Sequence, residues 1–313
     1  PASAEDIDLF TNPAANATTA PNILVVLDNS ANWNANNQQW VGLNGENPFK
    51  QGQSELRALR MLMDDPNMNE GVNFGLFMFT SGNPADTGYP RFHIRNMTQA
   101  NKDAFKEMIG DASCADGPNS LNGTPNCIFK NFSSSSEQTN SASTRYSAAL
   151  FEAFKYFGGY TDPPRANLDQ PGTPVDRNHF GNERYGTLSA NTDRDAWEDP
   201  ATKLRWGSPL DDLGNANCAK NYIIFIGNGY PSQDVVDSLL TGINGNATVP
   251  AGVGNKGWKV ANWSKYMLQT DVNAALGRQS LSTYTIDVFN ARPDANQTAL
   301  MKAMAKFGGG RYF

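Results

Sequence analysis

Cysteine and histidine are scarce in this chain of 313 residues, three of the one and two of the other. Cys114, Cys127 and Cys218 include no C-x-x-C pair, and His93 and His179 lie far apart in sequence. A zinc site draws about four Cys, His or acidic ligands at recognisable spacing, so none is expected. No apolar run approaches the roughly 20 residues that span a bilayer, and no direct membrane anchor is expected. Basic blocks are missing too. The net charge is −6 with Lys and Arg scattered singly, which excludes the footprint of a nucleic-acid binder or a binder of anionic membranes. Hydrophobic residues make up 39% of the chain. That is low enough to imply a compact core carrying long polar loops.

Cys114 and Cys127 bracket the polar stretch ADGPNSLNGTPN. The pair reads either as a small disulfide loop or as two buried thiols, and the secreted character of the flanks favours the bridge. Cys218 is then the odd one. The sequence starts at Pro1 and reads as processed or trimmed, and Ala2-Ser3-Ala4 has the spacing of a signal-peptidase site.

Residues 1–21, rich in Pro, Ala, Asn and Thr, form an extended lead-in. NILVVLD at 22–28 is a continuous apolar run, as expected of a strand buried on both faces of a parallel sheet. It ends in Asp28, Asn29 and Ser30, a carboxylate, an amide and a hydroxyl that serve either as a helix cap or as part of a metal site. From Ser54 a helix should bury Leu56, Leu59, Leu62 and Met63 and stop before Pro66. VNFGLFMFTS at 72–81 is a second strand. RFHIRNM is an antiparallel edge strand with His93 exposed on its polar side, and Thr98 caps the helix after it. Helical spacing resumes in SASTRYSAALFEAFKYFGG. Residues 113–140 and 159–217 lack a sustained period and read as insertions. NYIIFIGNGYPS is another buried strand, followed by a short helix near 235–243 and a longer one near 258–278. LSTYTIDVF is a strand with Asp287 within it, NQTALMKAMAKFG a helix, and GGGRYF a Gly turn into a last strand. Strands alternating with helices imply a parallel sheet covered on both sides, with its site at the strands' carboxyl ends.

The run DNSAN, the segment TRYSAAL and the later strand end GNG together resemble the von Willebrand factor A domain. That family carries D-x-S-x-S after its first strand, T-x-T-x-x-A-L in a later loop, and Asp followed by Gly after its fourth strand. The resemblance implies a Rossmann-like, three-layer α/β fold with helices on both faces. Its six-strand sheet would be mostly parallel, with one antiparallel edge strand. It also implies a degenerate metal-ion-dependent adhesion site of Asp28, Ser30, Asn32, Thr144 and Asn228, taking Mg²⁺, or Ca²⁺ or Mn²⁺. Asn32 stands for the second serine, Tyr146 for the second threonine, and Asn228 for the aspartate. The last change removes a negative charge beside the ion, worth roughly 4 kcal/mol at about 4 Å before desolvation and screening.

The segments EDIDLFTNPAANA, PNILVVLDNSANWN, KQGQSELRALR, KYFGGYTDP and CAKNYIIFIGNGYPS narrow the resemblance to the PilY/PilC family of type IV pilus tip adhesins. By that resemblance residues 22–313 are a fragment of a longer protein, lacking a last helix and a carboxyl-terminal β-propeller. The protein is then expected to be extracellular, secreted through the periplasm of a Gram-negative bacterium. Its partners would be minor pilins at the pilus tip and a host-cell or abiotic surface. Trp33, Trp40 and Tyr230 either anchor a partner or pin their own loops. Two other functions stand beside adhesion: a metal-free, force-transmitting tip domain, and a metal-assisted hydrolase using Asp234 or Asp287 as base. Asp287 falls mid-strand and neither histidine lies near the motif, which disfavours the enzyme.

Overall fold

The structure, a computed structural model, describes residues 20–34, 39–40, 49–79, 88–114, 127–134, 137–138, 146–159, 191–201, 206–212, 219–231, 258–273, 277–288 and 294–313. Its strands are β1 (Asn22–Leu27), β2 (Gln39–Trp40), β3 (Phe49–Lys50), β4 (Asn73–Phe79), β5 (Gly88–Asn96), β6 (Asn221–Gly227), β7 (Leu281–Asp287) and β8 (Gly309–Tyr312). The helices are α1 (Gln51–Leu62), α2 (Gln99–Ile109), α3 (Ile128–Asn131), α4 (Tyr146–Gly158), α5 (Pro209–Asp212), α6 (Trp258–Gln269) and α7 (Ala295–Phe307).

Six strands form one sheet in the order β5-β4-β1-β6-β7-β8, and β2 and β3 form a separate ribbon. Every neighbouring pair of the main sheet is parallel except β4 with β5, at the edge. β1 lies in the middle between β4 and β6 and is buried at every residue. A strand covered on both faces gains nothing from alternating polar residues, and so its run is unbroken. On β4, Phe74 packs edge-on against Phe105 of α2, with ring centroids 5.4 Å apart. Phe77 and Phe79, on the opposite pleat, meet Tyr156 and Tyr146 of α4 at 6.1 and 5.9 Å. One strand thus feeds both helical layers of an α/β, Rossmann-like three-layer fold.

α1 starts at Gln51, before the expected Ser54, and Leu62 is 37% exposed instead of buried. The buried stripe runs through Leu56, Leu59 and Met63. At about 100° per residue Leu62 falls roughly 90° from its centre. α2 begins as expected, with Thr98 Oγ1 accepting from Asn101 N–H at 3.3 Å. α6 ends at Gln269, short of 278, because Val272 N–H donates to Gln279 O at 2.7 Å and turns the chain towards β7. The helix expected near 235–243 lies outside the described residues.

The amino-terminal end of the sheet is tied by a head-to-tail chain of side-chain amides. Asn96 Nδ2 donates to Asn73 Oδ1 at 3.1 Å, and Asn73 Nδ2 donates to Asn22 Oδ1 at 2.8 Å. Asn22 Nδ2 donates to Asn221 Oδ1 at 2.8 Å, and Asn221 Nδ2 to Gln279 Oε1 at 3.0 Å. Asn22, Asn73 and Asn221 are the first residues of β1, β4 and β6 and pair in register. A slip of one residue would break the chain and turn each strand over. Asn22→Ala is expected to lower stability by about 2–3 kcal/mol, because it strands a buried donor on Asn73 and a buried acceptor on Asn221. Equilibrium urea unfolding measures this, and a loss below about 0.5 kcal/mol would mean that the neighbours find other partners.

The edge strand β5 is covered by residues 191–197. Asp193 N–H donates to Pro90 O at 2.9 Å, and Asp193 Oδ2 accepts from His93 N–H at 2.9 Å and from the Arg95 guanidinium. His93 is therefore only 5% exposed, against the expectation of a solvent-facing histidine, and its Nδ1 lies 2.9 Å from the Tyr156 hydroxyl. Covering an edge in this way removes a template for pairing with other chains. The same part of the chain seals α4, where Trp206 stacks on Trp197 with ring centroids 4.1 Å apart. Its indole N–H donates to Glu152 Oε2 at 2.9 Å.

Candidate functional site

Parallel pairing continues one residue past β1, since Asp28 N–H donates to Ile226 O at 3.0 Å. This sets the Asp28 side chain at the carboxyl rim, level with the end of β6. The chain turns there, and Ser30 donates to Asp28 Oδ1 through its N–H at 3.0 Å and through its hydroxyl. Asn228, the residue after β6, donates its N–H to Asp28 Oδ2 at 3.2 Å. Its Nδ2 donates to Asp28 O at 2.6 Å and Ser30 O at 3.3 Å. Three of the expected residues, Asp28, Ser30 and Asn228, thus meet in space. Thr144 and the side chain of Asn32 lie outside the described residues.

Two members of the cluster were not expected there. Tyr146, the first residue of α4, places its hydroxyl oxygen 2.9 Å from Asp28 Oδ2 and 2.6 Å from Gly229 O. Gln297 of α7 donates from Nε2 to that oxygen at 3.2 Å. A Cβ on Gly227 would fall 2.8 Å from both the Tyr146 hydroxyl and Gln297 Nε2, so this closure requires glycine at the end of β6. The sequence marks position 146 only as a departure from T-x-T-x-x-A-L. Nothing local signals that a phenol there reaches back to residue 28. Asn29 clamps the neighbouring strand: its Oδ1 accepts from Phe79 N–H at 2.8 Å, and its Nδ2 donates to Phe79 O at 3.0 Å and Glu137 O at 2.7 Å.

A phenol has one proton and here faces two acceptors. Both contacts are satisfied when Tyr146 donates to Gly229 O and a neutral Asp28 carboxyl donates to Tyr146. Burial pushes the Asp28 carboxyl up towards that neutral state, against the bonds from Ser30, Tyr146 and Asn228 that favour the anion. Burial, followed by the Asp28 charge, raises the Tyr146 hydroxyl well above its usual range. Glu55 of α1 is pushed up to about 8, first by burial and then by the charge of Asp28, although Gln51 Nε2 donates to its Oε1 at 2.9 Å.

A hard divalent cation needs open oxygen lone pairs and keeps several waters. Asp28 has no exposure to solvent, and four groups take up its carboxyl oxygens: Ser30 N–H, Ser30 Oγ, Asn228 N–H and Tyr146 Oη. Of these Asn228 offers an N–H donor where a cation needs a lone pair. Among the described residues these hydrogen bonds occupy the carboxyl oxygens that Mg²⁺, Ca²⁺ or Mn²⁺ would use. The cluster is a hydrogen-bonded knot that joins β1, β6, α4 and α7.

Around the knot, Trp33 is fully buried and its indole N–H donates to Phe132 O at 2.7 Å, so it pins its own loop. Tyr230 is partly buried against the core. The Trp40 side chain, Cys218 and Asp234 lie outside the described residues. Asp287 is the last residue of β7 and not in mid-strand, beside Gly227 in register. Its Oδ2 accepts from Thr298 Oγ1 at 2.7 Å and Tyr312 Oη at 3.3 Å. These bonds hold it as an acceptor within the rim. Cys114 and Cys127 are joined by a disulfide with Cα atoms 6.0 Å apart. Cys127 has φ 67°, the one positive φ at a non-glycine among the described residues.

No family model matches the chain, and no curated protein matches it.

Proposed function

We propose that the chain is a non-catalytic binding module, a von Willebrand factor A-type domain of the PilY/PilC kind. It acts outside the cell at the tip of a type IV pilus, engages minor pilins and a host-cell or abiotic surface, and primes assembly. Its rim is held by hydrogen bonds in place of a cation. The observation that carries this reading is the meeting of Asp28, Ser30 and Asn228. They converge at the carboxyl rim of a six-strand sheet with one antiparallel edge. Three of the five expected positions lie side by side, and on this reading Tyr146 and Asn228 turn a ligand set into a closed network. The motif lends the site its place, and the Tyr146 hydroxyl lies against the carboxyl oxygen that an ion would use.

The test is binding of the immobilised chain to purified minor pilins, in Mg²⁺ and in EDTA, alongside thermal unfolding in each buffer. Binding is expected to survive EDTA, and about 5 mM Mg²⁺, Mn²⁺ or Ca²⁺ should leave the melting midpoint unchanged. Tyr146→Phe should lower stability by about 1–2 kcal/mol with or without metal. A midpoint that rises with metal in the wild type but not in Asp28→Ala would reinstate the adhesion cation. Absence of pilin binding in both buffers would end the adhesin reading.

A further inference from the structure

On the outward side of α1 lies a cleft of about 520 Å³, a size suited to ligand binding. Phe49 and Phe129 form its aromatic part, their rings edge to face at 5.4 Å. Arg57 holds its guanidinium 5.3 Å from the centre of the Phe49 ring. One helical turn on, Arg60 points to the same cleft, and its nearest carboxylate is Asp111 at 3.8 Å, too long for a hydrogen bond. Asp111 is committed elsewhere, accepting from Ser113 N–H at 2.9 Å and Ser113 Oγ at 2.6 Å. Arg60 Nε is shielded from solvent and has no hydrogen-bond partner among the described residues. Among the described residues that line it, the cleft holds two guanidiniums and one carboxylate, in a chain of net charge −6.

Apolar surface continues beyond the cleft. Met61 lines it and is 46% exposed, and Leu62 beside it is 37% exposed. Only Phe313 joins them as an exposed large hydrophobic residue among those described. Cationic forks one turn apart on a helix suit a carboxylate, which arginine binds through paired hydrogen bonds. Aromatic rings and an exposed methionine suit an apolar side chain adjoining it. A free inorganic anion would use the first half of this surface and leave the second unused.

We propose that the cleft is a docking site for an acidic segment of a partner polypeptide. A carboxylate of that segment pairs with Arg60 and Arg57, and a neighbouring apolar side chain packs on Phe49, Phe129 and Met61. The site shares no residue with the Asp28 cluster, and its test does not depend on the adhesin reading.

The full chain, ¹³C-methyl-labelled at its nine methionines, is titrated by NMR with acetyl-Phe-Glu-Leu-Glu-amide. The Met61 methyl, assigned through Met61→Leu, should shift and saturate with a Kd on the order of 100 µM. The neutral acetyl-Phe-Gln-Leu-Gln-amide and inorganic phosphate should each leave it in place at the same concentrations. Arg57→Gln combined with Arg60→Gln should weaken the acidic peptide at least about tenfold. The proposal is overturned if Met61 stays unmoved up to about 5 mM peptide, fifty times the expected Kd. It is likewise overturned if the neutral peptide binds equally well, if phosphate reproduces the shift, or if the folded double variant binds like the wild type. The comparison of peptides uses wild-type protein alone, so the test survives a variant that fails to fold.

Discussion

Replacing Glu152 by alanine is expected to cost the fold about 3–5 kcal/mol, the penalty for leaving a buried charge without its partner. Lys155 Nζ lies 2.6 Å from Glu152 Oε1, and both side chains have no exposure. The second carboxylate oxygen accepts from the Trp206 indole at 2.9 Å, and Phe151 lies under the ammonium at 4.7 Å. Alanine would take the Glu152 anion away from that ammonium and remove the acceptor that holds the Trp206 cover. The pair itself need not be strongly stabilising, since desolvation offsets much of its attraction. Glu152→Leu with Lys155→Met should therefore recover most of the loss. A double-mutant cycle by urea unfolding measures the coupling. If Glu152→Ala costs less than about 1 kcal/mol, Lys155 has another anion within reach and the account is wrong.

The second large effect depends on pH. Glu55 carries a folded-state value of about 8 against an ordinary 4.5. A raised carboxyl binds its proton more tightly in the folded chain than in the unfolded one. Its contribution is therefore fully present below the ordinary value and disappears as pH rises through the folded one. Between about pH 4.5 and 8 the slope approaches 1.4 kcal/mol per pH unit, on the order of 5 kcal/mol in all. Asp28 is also raised, so wild-type stability should fall with pH for two reasons, and the difference from Glu55→Gln isolates one. Guanidinium unfolding at pH 5 and pH 8.5 is the measurement. Parallel pH profiles for the two proteins would show that Glu55 titrates normally.

The sheet was legible in the sequence because its signals are local. NILVVL is buried at every residue and NYIIFIG at all but Tyr222 and Ile224, and their polar ends mark the rim where Asp28 and Asn228 meet. What was not legible depends on partners distant in the chain. His93 alternates with apolar neighbours as an exposed residue should, and only the arrival of Asp193 from 100 residues away buries it. Glu152 and Lys155, three apart on a helix, look like an ordinary solvated pair until Trp206 closes over them. Leu62 misled for a simpler reason, since the eye follows apolar residues along a helix while the stripe follows its angle. Tyr146 was visible as a mismatch, but its meaning lies in contacts with Asp28, Gly229 and Gln297. The asparagine that opens each of β1, β4 and β6 was a repeated local signal. Its value emerges only when register brings the three side by side.

That row of amides fastens the base of the central strand as Asn29 and Asn228 fasten its rim. Sliding β1 against its neighbours under load would rupture side-chain bonds to β4 and β6 together at the base, in addition to the backbone bonds. At the opposite end Asn29 holds Phe79 of β4, and Asn228 after β6 holds Asp28 and Ser30. Tension across the domain therefore has to break side-chain bonds at both ends of its central strand before the sheet gives way.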